Sequence, residues 1–266
     1  MLSKKVAFLI LVLMTFSTKA QGEIESINKT ILEYIEGTAN GEPDRVKNAF
    51  QPNFQLFLIS ADTLRIIDGK QYIANIEKGK KYNRIGRVVS IDYENNAASA
   101  KVEVFFPETN RLATDYLLLL KTTEGWKILH KVINVTIKNE DDLNALPIEN
   151  EIQNIEKTIH HYFEGTAHSK DDRIKIAFWK DLNLYSVKEG KINVLPGEKY
   201  LEYFTKGKNF NRIGKILNID LEKDAALVKL EIKMPDRNRI AIDYMLLLKI
   251  NDSWKVIHKS FTDKSF

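Results

Sequence analysis

The chain has 266 residues, 44% of them hydrophobic and 29% charged, and no cysteine. Such a composition is ordinary for a globular protein, and the missing thiols exclude a disulfide framework, a thiolate metal site and a cysteine nucleophile. The formal charge is +4, but Lys4, Lys5 and Lys19 fall in the first twenty residues, which carry no acid and leave +1 for the rest. Non-specific nucleic-acid binding therefore has no electrostatic support.

Residues 1–20 have the build of a signal peptide. The lysine pair precedes an apolar run over 6–16, broken only by Thr15, and Thr18-Lys19-Ala20 offers a small-residue cleavage site. The run is shorter than the ~20 residues a membrane-spanning helix needs. The expectation is export, to the periplasm or beyond the cell, with no membrane attachment after cleavage.

From there the pattern becomes helical. Ile24, Ile27, Ile31 and Tyr34 share one helix face. A second short helix begins at Pro43, a residue suited to the first helical position. Two short strands at 54–59 and 64–67 precede a third helix around 71–78. The period then changes to two: Ala100, Val102 and Val104 alternate with Lys101 and Glu103. Three long strands are expected, over 98–106, 113–121 and 126–135, with turns at Asn95-Asn96 and Glu124-Gly125.

The whole order then recurs. Residues 24–133 align with 152–261 at a constant offset of 128 without a gap, and 46 of the 110 positions are identical. A unit of this length is a domain rather than a solenoid repeat. In the second copy Ser169-x-x-Asp172 suggests a capped start for the second helix. The chain thus divides into a leader (1–20), copy one (21–137), an acidic linker (138–150) and copy two (151–266). Helices followed by an antiparallel sheet read as α+β. The apolar character of both faces at Leu117–Leu120 and Met245–Leu248 requires cover on each side, which points to the two copies packing as an intramolecular pseudo-dimer.

Several blocks carry a family resemblance: Tyr34-x-x-Gly37, Ala98-x-Ala100-Lys101-Val102, Thr114-Asp115-Tyr116-Leu117 and Gly125-Trp126-Lys127-Ile128. With the element order, they resemble the cone-barrel superfamily of nuclear transport factor 2, in particular its lumazine-binding and SnoaL-like branches. That resemblance implies two tandem cone-shaped barrels, each a curved antiparallel sheet wrapped around its N-terminal helices with a pocket at the wide end. It also implies candidates. Tyr34 and Tyr162 match the place of a hydrogen-bonding tyrosine in the isomerase members, but the base position falls on Leu58 and Ser186, which cannot take a proton.

His130 and His258 share a simple strand alternation with Trp126 and Trp254, so they are expected to point inward, where each is either a ligand contact or a core histidine. Asp115 and Asp243 are their possible partners in a dehydratase- or cyclase-like pair, or else structural carboxylates. Phe50, Phe57 and Trp126, with Phe178, Tyr185 and Trp254, are expected pocket-wall residues. Arg84 and Arg212 are either anion contacts at the rim or salt-bridged turn residues. His160, His161 and His168 lack partners at metal-ligand spacing, and no cofactor is expected. The expected function is binding of a small, largely apolar molecule in each pocket, without a catalytic signature. The alternatives are an enzyme using the His/Asp pair and a non-catalytic assembly module whose barrels are filled.

Overall fold

A computed structural model describes residues 4–137, 148–204 and 208–265. Most of the expected linker lies outside them. The first copy runs α1 (Lys4–Asn40), α2 (Pro43–Ala49), β1 (Gln55–Ser60), β2 (Thr63–Asp68), α3 (Gly69–Ala74), β3 (Ile85–Glu94), β4 (Ala97–Phe106), β5 (Arg111–Thr122) and β6 (Gly125–Ile137). The second repeats it: α4 (Ile148–Ala167), α5 (Asp171–Ala177), β7 (Phe178–Lys188), β8 (Lys191–Pro196), α6 (Gly197–Leu201), β9 (Ile213–Glu222), β10 (Ala225–Met234), β11 (Arg239–Ile250) and β12 (Ser253–Ser265). Each copy builds a six-stranded sheet, ordered β2-β1-β6-β5-β4-β3 and β8-β7-β12-β11-β10-β9.

Three local expectations change. Each domain has a fourth long strand, β3 or β9, whose alternation is obscured by an irregularity (at Val88/Ser90 in β3) and by one open edge. The sheets are mixed rather than purely antiparallel, because β1 pairs parallel with β6 and β7 with β12. Ser169 does not cap α5: it adopts a left-handed φ of 51°, and the helix starts after Lys170. Pro43 does open α2.

The inner face of each sheet closes on its helices. In domain one Ile27, Ile31 and Tyr34 of α1 pack with Val102, Leu117, Leu119 and Ile128. In domain two Ile155, Ile159 and Tyr162 pack with Val228, Met245, Leu247 and Val256. The outer faces meet each other. Tyr116, Leu118, Leu120, Leu129 and Val132 form one apolar cluster with Tyr244, Leu246, Leu248 and Ile257. Each such fully buried leucine contributes about 1.5–3 kcal/mol of transfer free energy.

Polar contacts at this seam are reciprocal. Tyr116 donates to Asp220 Oδ1 at 2.5 Å, which also accepts from Lys101 at 2.8 Å. Tyr244 and Lys229 each donate to Asp92 Oδ1 at 2.5 Å. The same patch on both partners is the mark of an isologous, two-fold contact.

Candidate functional site

The site in each domain is set by a phase change in one strand. Strand β6 alternates regularly from Trp126 to Ile128, both turned inward. Opposite β5 the register then slips between Leu118 and Leu119, because Leu118 faces His130 while Leu119 faces Ile128. This β-bulge leaves Leu129 and His130 both on the outer face and brings Lys131 inside. Strand β12 has the same slip, with Leu246 facing His258 and Leu247 facing Val256, and it turns Lys259 inward.

Inside, Lys131 meets two residues expected there. Its Nζ donates to Tyr34 Oη at 2.7 Å and to Asp115 Oδ2 at 2.9 Å, and Tyr34 donates to the same Oδ2 at 2.5 Å. In domain two Lys259 lies 3.1 Å from Tyr162 Oη and 2.8 Å from Asp243 Oδ2, with Tyr162 to Asp243 at 2.9 Å. The lysines are only 3% and 4% exposed and the aspartates 1%, so these are closed polar triangles in apolar surroundings. Charges buried this deeply persist only when paired and hydrogen-bonded. Burial and then the neighbouring carboxylate push both tyrosines well above their ordinary pKa, so they act as donors rather than phenolates. Asp115 Oδ1 and Asp243 Oδ1 remain without a partner.

Each triangle lines a cavity, of about 250 Å³ in domain one and about 480 Å³ in domain two. Around it stand Tyr72, Arg84 and Arg111 in the first domain and Tyr200, Arg212 and Arg239 in the second. Arg84 lies 5.2 Å from the Phe106 ring and Arg111 5.9 Å, and Phe106 itself lines the smaller cavity. Met234 takes its place in domain two, where Arg212 sits instead between Phe204 and Phe210. Three cations face one carboxylate in the first cavity, and five face three in the second.

The remaining expectations land elsewhere. His130 and His258 do not point into the cavities; the bulge places them at the domain seam, stacked on each other at 4.1 Å. Each Nδ1 accepts a backbone N–H at 3.1 Å, from Gln55 and Asn183 respectively, so the neutral rings carry their proton on Nε2. Burial, reinforced for His130 by its neighbour, holds both below the usual imidazole range, His258 at about 3.

The His and Asp candidates are thus on opposite faces of the sheet and form no pair. Phe57 and Tyr185 are also seam residues, packed against these histidines. Phe50 and Phe178 lie behind the tyrosines as packing partners, at 5.5 Å in each case. Trp126 and Trp254 hold the helices instead, donating to Glu23 at 3.1 Å and Glu151 at 2.8 Å. His161 accepts from Arg173 at 3.2 Å, and among the described residues no group of three or more metal-ligating side chains converges.

Residues 22–134 and 150–262 both match the family described as "Putative lumazine-binding". The chain belongs to that family. Solved structures similar to one domain include NTF2-like proteins of unknown function from Shewanella baltica (18% identity, TM-score 0.42, 46% of this chain and 100% of that one) and Silicibacter pomeroyi (12%, 0.41, 45% and 100%). An NTF2-like protein of unknown function from Methylobacillus flagellatus is similar at 20% identity and TM-score 0.39, over 44% of this chain and 94% of that one. No curated protein matches the chain.

Proposed function

We propose that this is an exported binding protein whose two cavities each take a flat, polar heterocycle with anionic character. One observation carries the reading. Every polar side chain lining the domain-one cavity, namely Tyr34, Tyr72, Arg84, Arg111, Asp115 and Lys131, has the identical residue at its counterpart in domain two. Of the eight apolar lining residues only Leu56 and Ala113 are kept. The mutual dependence of the buried ion pair accounts for the triangle's constancy, but Tyr72, Arg84 and Arg111 lie outside it and are kept as strictly while the walls drift.

The chemistry suits the family's description. A lumazine-type ring offers carbonyl oxygens for the arginines. Its π-face suits the Tyr72 or Tyr200 ring. A few polar groups on apolar walls is the usual make-up of a small-molecule site. The surplus of cations favours an anionic ligand over the largely apolar one expected from sequence. Catalysis has less support, since the cavities lack a histidine and Leu58, at the base position of the isomerase members, lines the first of them.

Titration of the full chain with lumazine, followed by ligand fluorescence, tests this. Arg84→Gln and Arg212→Gln should each remove one binding event, with affinity at the altered site falling ~10–100-fold, as expected for a lost charged hydrogen bond. Native mass spectrometry of protein purified from its own host should show up to two small molecules released on denaturation. An empty chain that also ignores millimolar lumazine would refute the reading. Export is checked separately, by a mature N-terminus at Gln21.

A further inference from the structure

Among the described residues there is a cavity larger than either of these two. It is a cleft of about 770 Å³ where the helical end of domain one meets the β7–β8 turn of domain two. Its floor is apolar, formed by Phe50, Phe54 and Ile73 with Ile192 from the other domain. Lys47, Lys70, Lys127 and Lys191 surround it, against the single carboxylate of Glu124. A backbone bond from Thr123 to Gly190, 2.9 Å long, ties its two walls together.

The two-fold relation of the domains supplies a control within the same chain. The position that mirrors Gln51, which lines the cleft, is Trp179, whose indole packs against the interdomain cluster. Four mirror positions also shift toward negative charge: Lys70 corresponds to Glu198, Ala74 to Glu202, Gly190 to Asp62 and Lys191 to Thr63. One side of the seam is therefore open with an excess of lysines, and the mirror side, where Lys175, Lys180 and Lys255 face Asp62, Glu198, Glu202 and Asp252, has lost that excess and carries a bulky indole. Packing of two similar domains requires no such divergence, and an opening this size is typical of small-molecule sites.

We infer that this cleft is a third ligand site, specific to a small amphipathic organic anion with an aromatic or aliphatic body and a carboxylate or sulfonate group. The body lies on Phe50, Phe54 and Ile192, and the charged end faces the lysines. The cleft shares no lining residue with either cavity and does not depend on the function proposed for them.

The probe is 1-anilinonaphthalene-8-sulfonate, an aromatic anion whose fluorescence rises in apolar sites, titrated into the full chain. Gln51→Trp installs the residue of the mirror position and should weaken binding at least tenfold while circular dichroism stays unchanged. The exposed pair Lys70→Glu with Lys191→Thr leaves the floor intact and should weaken it about tenfold, so the result stands even where Gln51→Trp perturbs folding. The neutral parent 1-anilinonaphthalene should bind at least tenfold more weakly than the sulfonate. Sulfonate binding that is absent, or that survives both sets of substitutions at full affinity, overturns the inference, and probe bound only in the two domain cavities would give the second result.

Discussion

The two domains share a single design but have not kept it evenly. Their polar triangles and the reciprocal contacts of Asp92 and Asp220 are duplicated residue for residue. The cavity walls, the cleft beside Gln51 and the partner of each seam histidine have changed. Within the cavities, the triangle positions are fixed because one charge or hydroxyl depends on another, and the walls drift where volume is at stake; at the cleft and beside the seam histidines, charge and a hydroxyl have changed as well. The comparison separates what the architecture demands from what each domain has made its own.

The hardest test of that separation is to break a triangle. Lys131→Met leaves Asp115 buried without its cation and should cost about 3–5 kcal/mol in urea unfolding, the usual penalty for removing one partner of a buried ion pair. Lys259→Met should cost about the same, because Asp243 is as deeply buried as Asp115. Clearly unequal losses would show that the two triangles are not equivalent despite their matching burial. A loss below about 1 kcal/mol in both would mean that the triangles are not the buried, interdependent units described here.

The seam histidines respond to pH rather than to ligand. Burial holds both rings neutral, so the unfolded chain takes up protons first as pH falls. Their share of stability is therefore whole above about pH 6.5 and drains away toward about 3, where His258 titrates in the folded chain. Tyr185, pushed up to about 12 by burial, stays out of this window. Between pH 6.5 and 5 stability should fall by up to ~1.4 kcal/mol per pH unit for each histidine. Replacing both with Gln, which keeps an acceptor for the backbone N–H, should flatten the profile. An unchanged slope in the double variant would place the pH dependence elsewhere.

Much of this architecture was legible in the residues. The helix periodicity around Ile27 and Ile31, the strand alternation at Ala100–Val104 and the duplication at constant offset together specify two tandem α+β domains. Tyr34 and Asp115, with Tyr162 and Asp243, do come together. The lysines were not legible, and the reason is physical. With both faces of β6 buried, Trp126-Lys127-Ile128-Leu129-His130-Lys131 fits either phase, and a one-residue bulge inverts every position after it. The same slip sends His130 and His258 away from the cavity. The arginines were half legible: Arg84 and Arg212 stand in turn-like blocks, and only the folded sheet brings them beside Arg111 and Arg239. The one available signal was internal, since Lys131 and Lys259 are identical in both copies.

The smallest effect concerns a single hydroxyl. His130 Nε2 lies 2.7 Å from Tyr185 Oη, whereas the counterpart of Tyr185 is Phe57, and His258 Nε2 accordingly has no partner. A buried donor left unpaired costs about 1–3 kcal/mol. Phe57→Tyr supplies the missing acceptor at the mirror position, where the ring centroid already stands 5.0 Å from that of His258, and should raise stability by about 1 kcal/mol. Tyr185→Phe should lower it by about 1–2 kcal/mol. The double exchange moves the hydroxyl from one side of the stack to the other and should be neutral within about 0.5 kcal/mol. If neither single substitution shifts the urea midpoint, solvent already serves both rings, and the asymmetry at the seam is one of sequence without energetic content.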